Sequence, residues 1–419
     1  MTAILFEKHA PIEHFRAEDG VLVVGDAPIT EHYAAAGGVP VYLYDKALFQ
    51  RRADDLKALF DGHIDLHYAM KANPMPELVQ FAAKHVDGLD VASGAELDVA
   101  LKTECPPEEI SFAGPAKQHW ELSNAIDAGI TLNVESVVEL QRIGEIATAA
   151  GRRARVALRI NPDFQLKRSG MKMGGGAQQF GIDAELIPGL FEQWRLGSGP
   201  FDTRHMDFVG FHIYSGSQNL LCESLIETQT QTVELALRLA KDAPAPVRML
   251  NIGGGFGIPY FPGEKPLDTA PLKSHLAALA AHTATSLPEA RLVIELGRYL
   301  VGECGVYVCE VTDKKVSRDK TFLITNGGLH HHLAASGNFG QIIRKNYPVV
   351  VGNRVNAEHE ERVNVVGPLC TPLDLLADNM TMAEAEIGDL IVVFQSGAYG
   401  YTASPRDFLS HRQPVEKLV

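Results

Sequence analysis

Leu89-Asp90-Val91-Ala92-Ser93-Gly94-Ala95-Glu96-Leu97 (89–97) holds the fold in miniature. A short apolar run, 89–92, stops at Ser93, and Glu96 stands three residues further on. That is the spacing of a capping box, in which a serine hydroxyl and a glutamate carboxylate occupy the unpaired N–H groups of a helix start. A helical pattern over 96–103 follows. A run too short for a helix, passing straight into a capped helix, reads as one βα unit. Ser136 with Glu139 repeats the device ahead of the helical pattern at 136–150.

Runs of the same kind occupy 66–70, 89–92, 110–113, 131–134, 156–160, 208–213, 249–252 and 292–296. Helical patterns lie among them at 76–85, 96–103, 136–150, 223–241 and 271–286, and another at 46–60 precedes the first. Eight buried strands alternating with helices predict an α/β fold, a (β/α)8 TIM-type barrel rather than a doubly wound sheet. The connection from 161 to 207 is long and holds Gly174-Gly175-Gly176, which predicts a mobile or inserted segment. Beyond Gly297 the pattern turns to strands at 306–316, 320–325, 349–355, 362–366 and 390–394, and 21–24 reads the same way. The expected organisation is an N-terminal segment, 1–44, that joins a C-terminal β domain, 298–419, with the barrel at 45–297 between them.

The 419 residues are 46% hydrophobic and 21% charged, enough for a large core without disulfide staples. A formal net charge of −14 argues against a nucleic-acid or anionic-membrane surface. The five cysteines (Cys105, Cys222, Cys304, Cys309 and Cys370) form no CxxC pair, so neither a disulfide framework nor a structural zinc is expected. Cys304 and Cys309 read as ordinary core thiols. Residues 1–16 lack a basic start and a long apolar run, and no stretch reaches the ~18 apolar residues of a membrane span, so a cytoplasmic location is expected.

In such a barrel the chemistry gathers at the C-terminal ends of the strands. Lys71 closes the first run in Tyr68-Ala69-Met70-Lys71-Ala72-Asn73. A lysine there should be desolvated and nucleophilic, although a solvated strand-end lysine is the plainer alternative. The seventh run leads into Asn251-Ile252-Gly253-Gly254-Gly255-Phe256-Gly257, where consecutive glycines let backbone N–H groups close around an anion. The eighth ends in Glu295-Leu296-Gly297-Arg298-Tyr299, a carboxylate followed by a second, charge-assisted half of a phosphate cup. An amine, an anion cup and a carboxylate are the parts of a pyridoxal phosphate site.

The chain resembles the fold-type III pyridoxal phosphate decarboxylases, the diaminopimelate, ornithine and arginine decarboxylase family, whose barrel is alanine racemase-like. The resemblance rests on YAMKAN (68–73), DVASGAEL (90–97), LRINPD (158–163), FHIYSGSQ (211–218), NIGGGFG (251–257), ELGRY (295–299), GPLC (367–370) and SGAYG (396–400), in order along nearly the whole chain. It implies pyridoxal 5'-phosphate as cofactor and Lys71 as the Schiff-base lysine. It implies phosphate contacts from Ser217, Gly253, Gly254, Gly255, Gly297, Arg298 and Tyr399, and Glu295 as partner of the ring nitrogen. Asp90, Glu96 and Arg159 match residues that orient the lysine and ring. Cys370 matches the cysteine that a neighbouring subunit places near the substrate Cα, which implies a homodimer with active sites at its interface.

Three departures refine the reading. The family's ring-stacking histidine is replaced by Tyr214, with His212 one alternation away on the same face, so either can stack. After Cys370 the family usually carries Asp or Glu for the substrate's distal amine; here Thr371, Pro372, Leu373 and Asp374 follow. A hydroxyl cannot replace that charge-assisted bond, worth ~1.5–3 kcal/mol. The run resembles decarboxylases of biosynthetic clusters, including those acting on aminoacyl groups tethered to a carrier protein and those associated with exosortase systems. The expected substrate is therefore a small-molecule amino acid or an aminoacyl carrier protein, contacted by Arg298, Arg344, Tyr347, Thr371 and Asp374. His330-His331-His332 cannot all face one ion from regular structure, so no metal is expected. Two rival functions are an amino-acid racemase of the same fold, separable by CO2 release against loss of chirality, and a non-catalytic pyridoxal phosphate-binding or regulatory homologue.

Overall fold

The structure, a computed structural model, describes residues 9–164, 171–172 and 174–419. The expected mobile segment at 161–207 lies partly outside these residues, as does the start of the N-terminal reading. Two compact units are present: Met1–Arg51, Ile258–Pro266 and Gly297–Val419 form one, and Arg52–Gly257 with Leu267–Leu296 forms the other.

The second unit is an eight-stranded parallel barrel. Its strands are β1 (Ile64–Ala69), β2 (Gly88–Val91), β3 (Ile110–Phe112), β4 (Thr131–Val134), β5 (Ala154–Asn161), β6 (Met206–Ile213), β7 (Met249–Asn251) and β8 (Arg291–Leu296). Each pairs with the next, β8 pairs with β1, and so the sheet closes. The short strand Ile182–Asp183 also adds to β5. Parallel strands covered on both faces read as apolar runs, which is why all eight are visible in the sequence. Both expected caps form: Ser93 Oγ accepts the Glu96 N–H and Ser136 Oγ the Glu139 N–H. The glutamates reach one residue further back than a capping box requires, to the N–H groups of Ala92 and Glu135.

One irregularity sets the register of the barrel interior. Phe208 of β6 is level with Val156 of β5, yet Gly210 is level with Ala157. The extra residue is a β-bulge. Gly210 has φ +149°, and a Cβ there would lie 1.9 Å from the Met249 carbonyl oxygen. Beyond the bulge His212 is level with Arg159 on one side and with Asn251 of β7 on the other.

The first unit is built on an eight-stranded sheet. Gly305–Ser317 is its long central strand, pairing with Lys320–Thr325, Leu390–Val393 and Val41–Tyr44. Val415–Leu418 runs parallel to Val41–Tyr44. Val21–Val24 belongs instead to a small sheet with Arg16–Glu18 and Ala27–Pro28. Its Leu22 and Val24 enter the same core as Val41, Leu43, Val306, Val308 and Val392. Among the described residues no helix is long and apolar enough to cross a membrane.

Candidate active site

The barrel interior is polar where such barrels usually carry branched aliphatic side chains. Glu295 of β8 is buried, and its Oε2 accepts a hydrogen bond from Asn251 Nδ2 at 3.1 Å. The same oxygen lies 3.2 Å from His212 Nε2. That separation is within ion-pair distance. Strands β6 and β8 are not neighbours; the contact crosses the inside of the barrel. Burial alone would push the Glu295 carboxyl up, but the neighbouring His212, helped by Lys71 and Arg159, holds it well below the usual carboxylate range.

Lys71 lies just past β1, in the turn Met70–Ala72. Met70 and Ala72 are buried and Lys71 is exposed. The expected desolvated lysine is thus corrected: the chain turns as the strand ends, and position 71 stands exposed between two core residues while its charge still reaches Glu96 and Glu295. The Tyr214 ring is 5.6 Å from Lys71 Nζ. The two candidate stackers therefore have separate neighbours, Tyr214 the amine and His212 the carboxylate.

Glu96 is pushed up by burial, with the Ala92 N–H and the Lys71 charge opposing the shift. Asp90 engages deeper groups: Ser111 donates to its Oδ1, Asn133 donates to Ser111 at 3.1 Å, and His67 Nδ1 lies 3.7 Å away. Burial works against charge on His67, yet Asp90 holds its pKa above the ordinary value. Arg159 pairs with Glu135 at 2.6 Å and lies 4.8 Å over the Phe180 ring. Glu135 also accepts the Gly114 and Gly181 N–H groups at 2.7 and 2.9 Å.

The glycine run is tightly enclosed. A Cβ on Gly253 would meet the Tyr214 ring at 2.7 Å, one on Gly254 the Glu295 carbonyl oxygen at 2.1 Å, and one on Gly255 the Gly216 carbonyl oxygen at 2.7 Å. Gly253 and Gly255 have φ of +68° and +80°, which side chains resist. The Gly253 N–H donates to Asn251 Oδ1, and the Gly253 and Gly255 carbonyls accept from Glu295 and Asn219. Ser217 adjoins Gly216 in a two-residue strand paired with Met171–Lys172. An amine at the barrel end, a glycine cradle that any Cβ would fill, and a buried anionic carboxylate lie within one unit. These residues fit pyridoxal phosphate.

The remaining sequence candidates belong to the β-rich unit. Arg298, just after Gly297, is partly buried; it donates to the Tyr260 hydroxyl at 2.9 Å and lies 4.7 Å over the Tyr399 ring. Tyr347 is buried against Tyr260, with ring centroids 4.6 Å apart. Arg344 donates to the Leu375 carbonyl, and burial lowers its pKa. Cys370 is exposed. Thr371 Oγ1 accepts the Leu373 N–H at 3.3 Å. Asp374, expected as a substrate contact, is corrected: it is 3% exposed, with its Oδ1 on the Leu329 N–H and Oδ2 on the Leu369 N–H. His331 and His332 meet Tyr307 and Ser396 at 3.0 and 2.9 Å. Among the described residues no group of three His, Cys, Asp or Glu side chains is placed to hold a metal.

Sequence reasoning passes over Asn251, although it opens a quoted motif, as well as His67, Ser111, Asn133, Glu135 and Tyr260. A polar residue inside an otherwise apolar parallel strand is the available signal for His67, Ser111, Asn133 and Asn251.

A family model described as "Pyridoxal-dependent decarboxylase, pyridoxal binding domain" matches residues 46–302. The L-glutamyl-[BtrI acyl-carrier protein] decarboxylase of Niallia circulans is 36% identical over 384 residues, 90% of this chain and 88% of that protein. The diaminopimelate decarboxylase of Aquifex aeolicus is 30% identical over 402 residues, 96% and 90% of the two chains. Among solved structures, diaminopimelate decarboxylase from Helicobacter pylori, complexed with L-lysine, superposes with a TM-score of 0.79 at 26% identity, covering 93% of this chain and 94% of that one.

Proposed function

We propose, since this chain belongs to the pyridoxal-dependent decarboxylases, that its substrate is an amino-acid unit without a free ammonium at its distal end, either acylated there or carried as a thioester on a carrier protein. The chain is a pyridoxal phosphate-dependent amino-acid decarboxylase. The observation that carries the substrate reading is on the loop of Cys370. Its one carboxylate, Asp374, is buried and already bonded to two backbone N–H groups, and the residue after the cysteine is the neutral Thr371. A distal ammonium would have no charged partner on this loop. The Niallia circulans relative, named for a glutamyl group on an acyl-carrier protein, supports the same reading.

When bound, pyridoxal phosphate supplies an aldehyde that takes up amines and a ring that accepts an electron pair. In our reading Lys71 provides the amine that anchors it, and Gly253, Gly254, Gly255 and Ser217 hold its phosphate. Glu295, kept anionic by His212, Lys71 and Arg159, would keep a proton on the ring nitrogen and so favour loss of the α-carboxylate. Tyr214, beside the lysine, covers one face. Asp90, Glu96 and Arg159 fix the charges around these groups. Gly297, Arg298 and Tyr399 contribute to the phosphate end. The Cys370 thiol delivers the proton that replaces CO2 on Cα.

A homodimer is part of this proposal. Leu373 near Cys370 is 57% exposed, and the adjoining segment exposes Phe339, Ile342 and Ile343, the last two at 100% and 76%. Asn338 Nδ2 ties that segment to the Leu373 carbonyl at 3.3 Å. Clustered exposed side chains of this size point to a partner surface, and in our reading that partner is a second copy of this chain.

The test is mass spectrometry of products from a panel of free amino acids, diaminopimelate included, and the matching aminoacyl thioesters on a carrier protein. Release of CO2 from the thioesters, with free diamino acids at least tenfold poorer in kcat/KM, is expected. Preference for free diaminopimelate would overturn the substrate reading.

A further inference from the structure

One carboxylate staples the hairpin that carries Cys370. Asp374 Oδ1 accepts the Leu329 N–H at 2.5 Å, and Oδ2 accepts the Leu369 N–H at 2.8 Å. Its backbone closes the hairpin as well: the Gly367 N–H donates to the Asp374 carbonyl and the Asp374 N–H to the Thr371 carbonyl, both at 3.2 Å. Leu369 and Thr371, the residues on either side of Cys370, are further joined by a bond of 2.8 Å between the Thr371 N–H and the Leu369 carbonyl. The other anchored segment is itself a tight turn, with the Gly328 carbonyl accepting the His331 and His332 N–H groups at 2.9 Å.

The walls around the carboxylate admit nothing else. A Cβ on Gly328 would lie 2.2 Å from Asp374 Oδ1, and one on Gly367 2.4 Å from Oδ2. A buried carboxylate with both oxygens on backbone donors is costly to leave half-satisfied. Two glycines, two N–H groups and a buried acid converge on one short hairpin that ends in an exposed thiol.

We propose that Asp374 is a positioning residue for Cys370: it locks the 367–374 hairpin to the 327–332 turn and so fixes where the thiol is presented. This rests on the proposed role of Cys370 as the proton donor to Cα. Asp374 itself contacts neither substrate nor cofactor; it acts through the cysteine.

Asp374→Asn keeps the volume but turns an NH2 donor toward a backbone N–H. In the holoenzyme, kcat should fall tenfold or more. KM and the cofactor absorbance titration should stay within about twofold, and iodoacetamide should alkylate Cys370 faster than in the wild type. Gly328→Ala displaces the same carboxylate by another route and should give the same pattern, which covers the case of an Asp374→Asn chain that does not fold. The Cys370→Ala/Asp374→Asn double variant should be no slower than Cys370→Ala alone, because both losses act through one thiol. Full additivity, or unchanged kcat and alkylation in Asp374→Asn and Gly328→Ala beside a slow Cys370→Ala, would overturn the staple while leaving the role of Cys370 standing. A Cys370→Ala enzyme of normal kcat would instead overturn the Cys370 reading and this proposal with it.

Discussion

His212 Nε2 and Glu295 Oε2 stand 3.2 Å apart across the barrel interior, on strands with β7 between them, and Asn251 of β7 completes the set. A carboxylate so placed stays charged despite its burial. Glu295→Gln should lower kcat by about 10²–10³, the usual scale for removing one electrostatic stabiliser. Steady-state kinetics at saturating cofactor checks it; a loss under fivefold would contradict the role given to Glu295.

The depressed pKa of Glu295 also sets a pH signature. A carboxyl with a folded pKa below its unfolded one contributes stability that is complete above the unfolded value, about 4.3, and is lost as pH falls through the folded one. The melting-temperature gap between wild type and Glu295→Gln should therefore be full at neutral pH and close only in acid below about 4. Thermal scans across pH 3–8 measure it.

Lys71→Ala should abolish the near-visible absorbance of the lysine-bound cofactor and reduce turnover to background. Retained colour in the dialysed variant would remove Lys71 from the anchoring role.

Gly254→Ala would put a Cβ about 2 Å from the Glu295 carbonyl oxygen. Either the cradle opens or β8 moves, and cofactor affinity should drop tenfold or more in a spectroscopic titration. The melting temperature of the cofactor-free chain should fall as well, because the contact is with backbone and cannot be relieved by a rotamer.

Thr371→Glu supplies a charge on the Cys370 loop. It should raise kcat/KM for a free diamino acid by about tenfold or more, the fold-change of a bond worth ~1.5–3 kcal/mol. An unchanged substrate preference would count against the specificity role given to Thr371 and Asp374.

The barrel is legible in the sequence because each of its strands is a short apolar run between helix signals. The amine, the glycines and the carboxylate are legible because they interrupt those runs at their C-terminal ends. Other features are not. Val41–Tyr44 and Val415–Leu418 pair with each other over a separation of more than 350 residues, and no local pattern announces that. The helix His119–Ala128 opens on a Gln118 cap, a residue type outside the usual N-cap set, and so gives no start signal. The separate neighbours of His212 and Tyr214 depend on a register that the sequence does not print. Asp374 reads as a substrate ligand because it is charged and near Cys370; its backbone donors come from Leu329 and Leu369, one of them 45 residues away.

The extra residue in β6 between Phe208 and Gly210 has a practical corollary for anyone recombining this enzyme with its relatives. Segments cut at 209 and spliced onto a partner strand without the additional residue would carry the right letters with the wrong parity. His212 would turn toward the helices, Phe211 would take its place inside the barrel, and Glu295 would lose its imidazole neighbour. Chimeras should be designed with crossover points that transplant Val209, Gly210 and His212 as one indivisible block.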